Sequence, residues 1–190
     1  MTRLIAVLDA NVLIPENLGS FIATCAYTET FTPVLSAQIL DEVARNFPIT
    51  QNRIQKMSEV FTQYFVSPSG SEISRIQLLK SPENRHIVAA ASLSKANVIV
   101  TSDVNLINEI NSRADFEFTA QYPYEFLSIL ANNEPGPFRE AVELIAHLRK
   151  RPTQWTVPKV IESLKDIGKP WNQEFSGILI ELFSAPSAVE

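Results

Sequence analysis

Two short apolar runs, each ending in a carboxylate, set the plan of this chain. Leu4-Ile5-Ala6-Val7-Leu8 runs into Asp9, and Val98-Ile99-Val100 runs into Thr101-Ser102-Asp103. Runs this short, rich in β-branched residues and bounded by polar ones, predict strands buried on both faces of a parallel sheet. Between them the period changes. Leu18, Phe21, Ile22, Cys25 and Ala26 recur at helical spacing, and Phe31-Thr32-Pro33-Val34-Leu35 predicts a second strand. Ser36 is a candidate N-cap for a helix carrying Ile39, Leu40, Val43 and Phe47, which Pro48 ends. Ile54, Met57, Phe61, Tyr64 and Phe65 predict a further helix that stops before the turn residues Pro68-Ser69-Gly70. Ser81-Pro82 looks like an N-cap followed by proline at the first helical position, opening a helix with Ile87, Val88, Ala91 and Ser94. The small residues Ala89, Ala90, Ala91 and Ala96 let that helix approach the sheet closely. Strand Val98–Val100, a helix from Val104 to Asn111, a strand over Phe116–Thr119 and a helix over Tyr124–Leu130 continue the alternation. Alternating strands and helices predict an α/β fold, a parallel sheet flanked by helices.

The character of the chain changes at Asn132-Asn133-Glu134-Pro135-Gly136-Pro137, a linker by composition. Beyond it no strand pattern appears. Phe138–Arg151 and Val157–Ile167 predict amphipathic helices separated by Pro152-Thr153, and Asn172–Phe183 predicts a third. The expected organisation is an α/β domain over residues 1–131 and a helical C-terminal extension over 137–190. Helices of this length are marginal alone in water, so the tail must cover apolar surface on this chain or on a second copy, as in a homodimer.

Composition narrows the picture. With 45% hydrophobic and 19% charged residues in 190, the chain is an ordinary globular protein of about one domain with room for an appendage. A net charge of −5 argues against bulk electrostatic capture of nucleic acid or anionic membrane, while leaving room for a local basic groove. The first apolar run is too short for a signal peptide or membrane span, which points to a cytoplasmic protein with no membrane partner. Cys25, the single cysteine, allows no intrachain disulfide and sits in an apolar helical pattern as a small core residue.

Asp9 and Asp103 at strand ends fall where open α/β sheets place ligands. Two carboxylates in one crevice repel, and a divalent cation is the usual remedy. Glu42, on the helix after the second strand, and Asn84, near the start of the Ser81 helix, are candidates for the same site. Hard oxygen donors of this kind suit Mg²⁺ or Mn²⁺, and such ions activate water toward a phosphodiester. Each residue also has a plainer reading: Glu42 as a solvated helix face, Asn84 as a cap. Asn11 and Thr101 would support the site by orienting Asp9, Asp103 or a metal-bound water, or else serve ordinary turn chemistry. Arg85 is a candidate phosphate contact. His86 reads as a surface or packing residue, since this chemistry needs no histidine. Arg149-Lys150-Arg151 ends an amphipathic helix, where exposed cations complement the dipole; contact with RNA or an antitoxin is the other reading.

Taken in order, Asp9-Ala10-Asn11-Val12-Leu13, Ser36-Ala37-Gln38-Ile39-Leu40-Asp41-Glu42-Val43, Asn84-Arg85-His86-Ile87-Val88-Ala89-Ala90-Ala91 and Val100-Thr101-Ser102-Asp103 resemble the PIN-domain family. The resemblance covers roughly Leu4 to Leu130, is nearest to ribonuclease toxins of the VapC kind, and extends to a subset with a similar helical C-terminal extension. It implies a Rossmann-like sheet and Mg²⁺- or Mn²⁺-dependent endoribonuclease activity. It further implies a catalytic set of Asp9, Glu42, Asn84 and Asp103, with Asp9, Glu42 and Asp103 as metal ligands, and inhibition by a cognate antitoxin protein. One departure stands out. The family usually has Asp before Arg-His, where this chain has Asn84, while nearer relatives often have Asn where this chain has Asp103. An exchange between the two positions would keep three carboxylates at the site, and Glu83 is the adjacent acid.

Two other functions compete with an RNA-cleaving toxin. One is a catalytically silent PIN fold that binds RNA or a protein partner without cleavage, a reading that Asn84 supports. The other, a phosphatase of the haloacid dehalogenase type, wants a second Asp two residues after the first, where this chain has Asn11.

Overall fold

Strand β1 (Ile5–Leu8) lies at the centre of a five-stranded, all-parallel sheet. On one side it pairs with β2 (Thr32–Ser36), which pairs with β3 (Phe65–Val66); on the other it pairs with β4 (Val98–Val100), which pairs with β5 (Thr119–Gln121). The computed structural model describes residues 3–46, 61, 64–76, 79–149, 155–165 and 173–184. From β1 the chain builds outward through β2 to β3 and then crosses back to start β4 on the other side. That reversal makes a crevice between the C-terminal ends of β1 and β4, where open α/β sheets collect ligands. Ala6, Val7, Ile99 and Val100 are fully buried, as expected for strands covered on both faces.

The connections carry α1 (Ala10–Leu13), α2 (Glu16–Tyr27), α3 (Ala37–Asn46), α4 (Gly70–Arg75), a 3₁₀ turn at Pro82–Asn84 leading into α5 (Arg85–Ser94), then α6 (Val104–Asn111) and α7 (Pro123–Asn133). Helix α5 packs on β1, β2 and β4, and its alanines Ala89, Ala90 and Ala91 are all buried. Lys95 ends it in the left-handed region at φ 52°, and the Ala96 N–H returns to the Ala91 carbonyl at 2.9 Å. Cys25 is buried in the core, and burial pushes its thiol pKa up, as fits an inert packing residue.

The tail folds back on the same chain. Helices α8 (Pro135–Leu148), α9 (Val157–Lys165) and α10 (Gln173–Ser184) follow. Phe138 of α8 meets Phe21 of α2 edge-on at 5.5 Å between ring centroids, α9 packs on α8, and α10 packs on α7. Phe138, Val142, Val160, Leu164, Phe175 and Leu179 are buried in the core that surrounds the sheet.

The structure departs from the sequence expectations in several places. Phe65, expected at the end of a helix, opens strand β3, while Ile54 and Met57 of that helix lie outside the described residues, as do Phe47 and Pro48. Helix α4 follows a capping box in which Ser69 and Glu72 each take the other's backbone N–H, at 3.3 and 2.7 Å. Strand β5 begins at Thr119 rather than Phe116, because Phe116 and Phe118 stack on each other at 5.0 Å outside the sheet. The expected linker is helical on both sides of Glu134: Pro135 occupies the first turn of α8, where a missing N–H costs nothing. Helix α8 also stops at Leu148, ahead of Arg151, while Pro152-Thr153, Ile167 and Asn172 lie outside the described residues.

Edge strand β5 has one outward-facing peptide pair, at Ala120. Thr119 and Gln121 bond inward, from the Thr119 N–H to the Asn97 carbonyl at 3.1 Å and from the Thr101 N–H to the Gln121 carbonyl at 3.0 Å. The Asn111 carboxamide fills both places at Ala120, accepting its N–H and donating to its carbonyl, each at 2.8 Å.

Candidate active site at the ends of β1 and β4

Asp9 leaves β1 with extended backbone (φ −68°, ψ 151°), and its N–H bonds the Val100 carbonyl at 3.0 Å, so the carboxylate stands at the crevice between β1 and β4. It is 4% exposed. Its Oδ2 accepts the Thr101 hydroxyl at 2.6 Å and the Asn11 amide at 2.6 Å. Having donated to Asp9, Thr101 Oγ1 accepts from the Asp103 N–H and the Asn11 amide, both at 3.0 Å, which uses its donor and both lone pairs. Asn11 Oδ1 takes the Ser102 N–H at 2.9 Å. Asn11 and Thr101 thus lock the loops after β1 and β4 into one unit.

Asp103 caps α6, its Oδ1 accepting the Asn105 and Leu106 N–H groups at 2.8 and 3.2 Å. Its Oδ2 accepts the side-chain amide of Asn84, the last residue of the 3₁₀ turn, at 3.0 Å. Arg85 follows as the first residue of α5. Glu83 is exposed, and its carbonyl oxygen is what meets His86.

Glu42, on α3, faces Asp9 closely enough to raise its pKa. Burial is the larger cause of that rise and the Glu42 charge adds to it; bonds from Thr101 and the Ala10 N–H, and the charge of His86, work in the opposite direction without cancelling it. His86 is the residue that sequence reasoning undervalued. Its Nδ1–H donates to the Glu83 carbonyl at 2.7 Å, which directs Nε2 toward Glu42 Oε2 at 3.9 Å. That Nε2 is buried and has no hydrogen-bond partner among the described residues. The signal was slight: His86 follows Asn84 by two positions at the start of a helix, and its approach to Glu42 on α3 is a contact between distant parts of the sequence.

The donor chemistry fits a hard divalent cation: a buried carboxyl group beside a second one, each disfavouring the other's charge, is the arrangement a cation relieves. Asp9 and Glu42 form such a pair, while Asp103 is engaged by Asn84 and by the start of α6. Among the described residues no three of the His, Cys, Asp and Glu side chains are gathered as a ready-made metal cluster.

A sequence model of the PIN domain matches residues 5–105, just over half of the chain. The chain belongs to the PIN-domain family. The match runs from the first residue of β1 into α6 and so includes Asp9, Glu42, Asn84 and Asp103. PIN domains are typically nucleases that use divalent metal ions. No curated protein and no solved structure matches this chain. No helix among the described residues of this PIN-domain protein is long and apolar enough to cross a membrane.

Proposed function

We propose that this PIN-domain protein is a Mg²⁺- or Mn²⁺-dependent endoribonuclease, acting in the cytoplasm as the toxin of a toxin–antitoxin pair and restrained by a cognate antitoxin protein. In this reading residues 1–131 form the nuclease domain and residues 137–190 a helical extension that covers it. The observation that carries the proposal is the buried Asp9 carboxyl group, its pKa raised by burial and by Glu42 at the β1/β4 crevice, and fixed there by Thr101 and Asn11. Asp9 and Glu42 hold the cation, and Asp103 contributes a third carboxylate from the neighbouring strand end. Asn84 orients Asp103 through its amide, and Arg85 meets a phosphate of the RNA. When bound, the ion supplies an activated water and neutralises charge on the scissile phosphate. His86 lies at hand to steady Glu42, since its ring is already fixed by the Glu83 carbonyl.

Incubation of the full chain with mixed RNA, in Mn²⁺, in Mg²⁺ and in EDTA, tests this. Cleavage that needs the cation and disappears in Asp9→Asn supports it. A second reading, a PIN fold that binds RNA or a partner protein without cutting, draws on the Asn84 amide at Asp103 Oδ2, where an acid would otherwise add charge. Absence of cleavage in the wild type under every cation, together with cation-dependent cleavage by Asn84→Asp, would favour that alternative.

A further inference from the structure

The sequence has one run of three cations, Arg149-Lys150-Arg151, and its first member has a defined place in the structure. Helix α2 connects the C-terminal end of β1 to the start of β2, so it runs opposite to the strands and begins on the edge of the sheet that holds Asp9. Asn17 lies in its first turn. Arg149 Nη1 donates to Asn17 Oδ1 at 2.7 Å, which brings the end of α8 to that same edge. The Phe21–Phe138 contact further along fixes α8 antiparallel to α2. The Arg149 guanidinium also lies over the Trp155 ring at 4.3 Å, and the Trp155 N–H returns to the Arg149 carbonyl at 3.1 Å. Lys159 Nζ, from α9, is 5.5 Å from the centroid of the same ring.

We propose that Arg149 and Lys159, set around Trp155, form a phosphate-binding rim that the helical tail adds to the RNA path leading to Asp9. The inference rests on the ribonuclease reading for the identity of the strand, and it assigns the tail a role in holding that strand beyond covering apolar surface. Three features lead to it. A crevice carrying Asp9, Glu42 and Asp103, in a chain of net charge −5, repels a polyanion unless fixed cations lie along its approach. Arg149 is pre-organised: Trp155 supports its flat face and Asn17 holds one edge, so little freedom is lost when its other N–H groups meet phosphate oxygens. Lys159 is exposed and adds a second point charge beside it. Phosphate contacts of this kind position a strand without reading its sequence.

The test is equilibrium binding of a labelled single-stranded RNA by the full chain in EDTA, so that metal-dependent cleavage plays no part, across about 50 to 200 mM KCl. Arg149→Gln with Lys159→Gln should weaken binding several-fold at the low-salt end. It should also flatten the slope of log affinity against log salt by about 1.4, close to 0.7 for each phosphate of a single strand that is no longer neutralised. Because Arg149 also ties α8 to α2, Lys159→Gln alone is the second variant, with an expected change of about 0.7, read on protein shown to be folded by its melting transition. Unchanged affinity and slope in either folded variant would overturn the rim. Binding that follows these slopes in a protein that never cuts RNA would sink the nuclease reading and leave the rim standing; cation-dependent cleavage with unaltered slopes would do the reverse.

Discussion

Asn84 donates its amide to Asp103 Oδ2 at 3.0 Å across 19 positions of sequence, so the two residues that the family resemblance singles out as exchanged touch each other. The pair can therefore be tested as a unit. Asp103→Asn should abolish cleavage, since it removes a carboxylate and leaves two amides facing each other. Asn84→Asp should keep or raise activity with Mn²⁺ present. Without metal it should lower stability, because it sets two carboxylates at hydrogen-bond distance. Exchanging both residues restores an amide–carboxylate bond in the opposite sense and should recover much of the activity lost by Asp103→Asn alone. A double-mutant cycle measures that coupling, and a cycle with no rescue rejects the exchange.

Asp9→Asn should have opposite effects on function and on stability. Cleavage and the rise in melting temperature on adding Mn²⁺ should both vanish. In EDTA near pH 7 the variant should melt a few degrees higher than wild type. The sign follows from linkage. The folded-state pKa of Asp9 is raised above its ordinary 3.8 by burial and then by Glu42, so the folded protein binds that proton more tightly than the unfolded chain does. Stability from this group is therefore greatest at low pH and is lost as pH rises from 3.8 through the folded pKa. The advantage of the amide variant should shrink as the solution is acidified over the same window. Chemical denaturation of both proteins at several pH values measures the gap, and a gap that widens toward acid would contradict the stated environment of Asp9.

Glu42→Gln tests the other member of the charged pair. It should reduce the Mn²⁺-induced rise in melting temperature and the rate of cleavage, and remove one cause of the raised Asp9 pKa. An unaltered metal response would return Glu42 to a solvated helix face.

The parts of this architecture that were legible in sequence are those in which local pattern and burial agree. The runs at Ile5–Leu8 and Val98–Val100 are apolar because both faces of their strands are covered, and the residues that end them mark the crevice. The tail was largely legible for the same reason: Val142, Ile145, Val160 and Leu164 recur at helical spacing and are buried and Ile161 is partly so, whereas Leu148, expected with them, is exposed at the end of α8. Residues whose environment is made by distant neighbours were not. Phe65 sits in a two-residue strand whose conformation comes from pairing with Leu35, and an apolar residue at helical spacing gave no hint of it. Phe116 and Phe118 read as strand because they are apolar at alternate positions, yet they precede β5, where they stack on each other against the core and Phe116 carries the Arg113 guanidinium 4.8 Å above its ring. The contact between His86 and Glu42 joins two helices and has no local signature. The start of α8 was present in sequence as Pro135 but was outweighed by the Gly-Pro composition around it.

Phe138→Ala tests the tail as part of the core. Phe138 is fully buried against Phe21, so its truncation should cost about 3–5 kcal/mol and leave a cavity beside α2. Ending the chain after Asn133 uncovers the same face and should cause aggregation or a change in oligomeric state, seen by light scattering. A soluble truncated chain of unchanged association state and full activity would show that the tail is dispensable to the fold.

The bond pair between Asn111 and Ala120 has a consequence for how this molecule can be recognised. An open strand edge is a template on which any extended peptide can write another strand, whether from a second copy or from an inhibitor. At β5 the single outward-facing peptide pair is already answered by a carboxamide from the helix beside it. A newcomer must displace Asn111 before it gains a backbone bond, so this flank is closed to sheet extension. Recognition on this side of the molecule then falls to side chains and helix faces, whose selectivity is written in shape and charge rather than in the generic hydrogen bonding that every chain can offer.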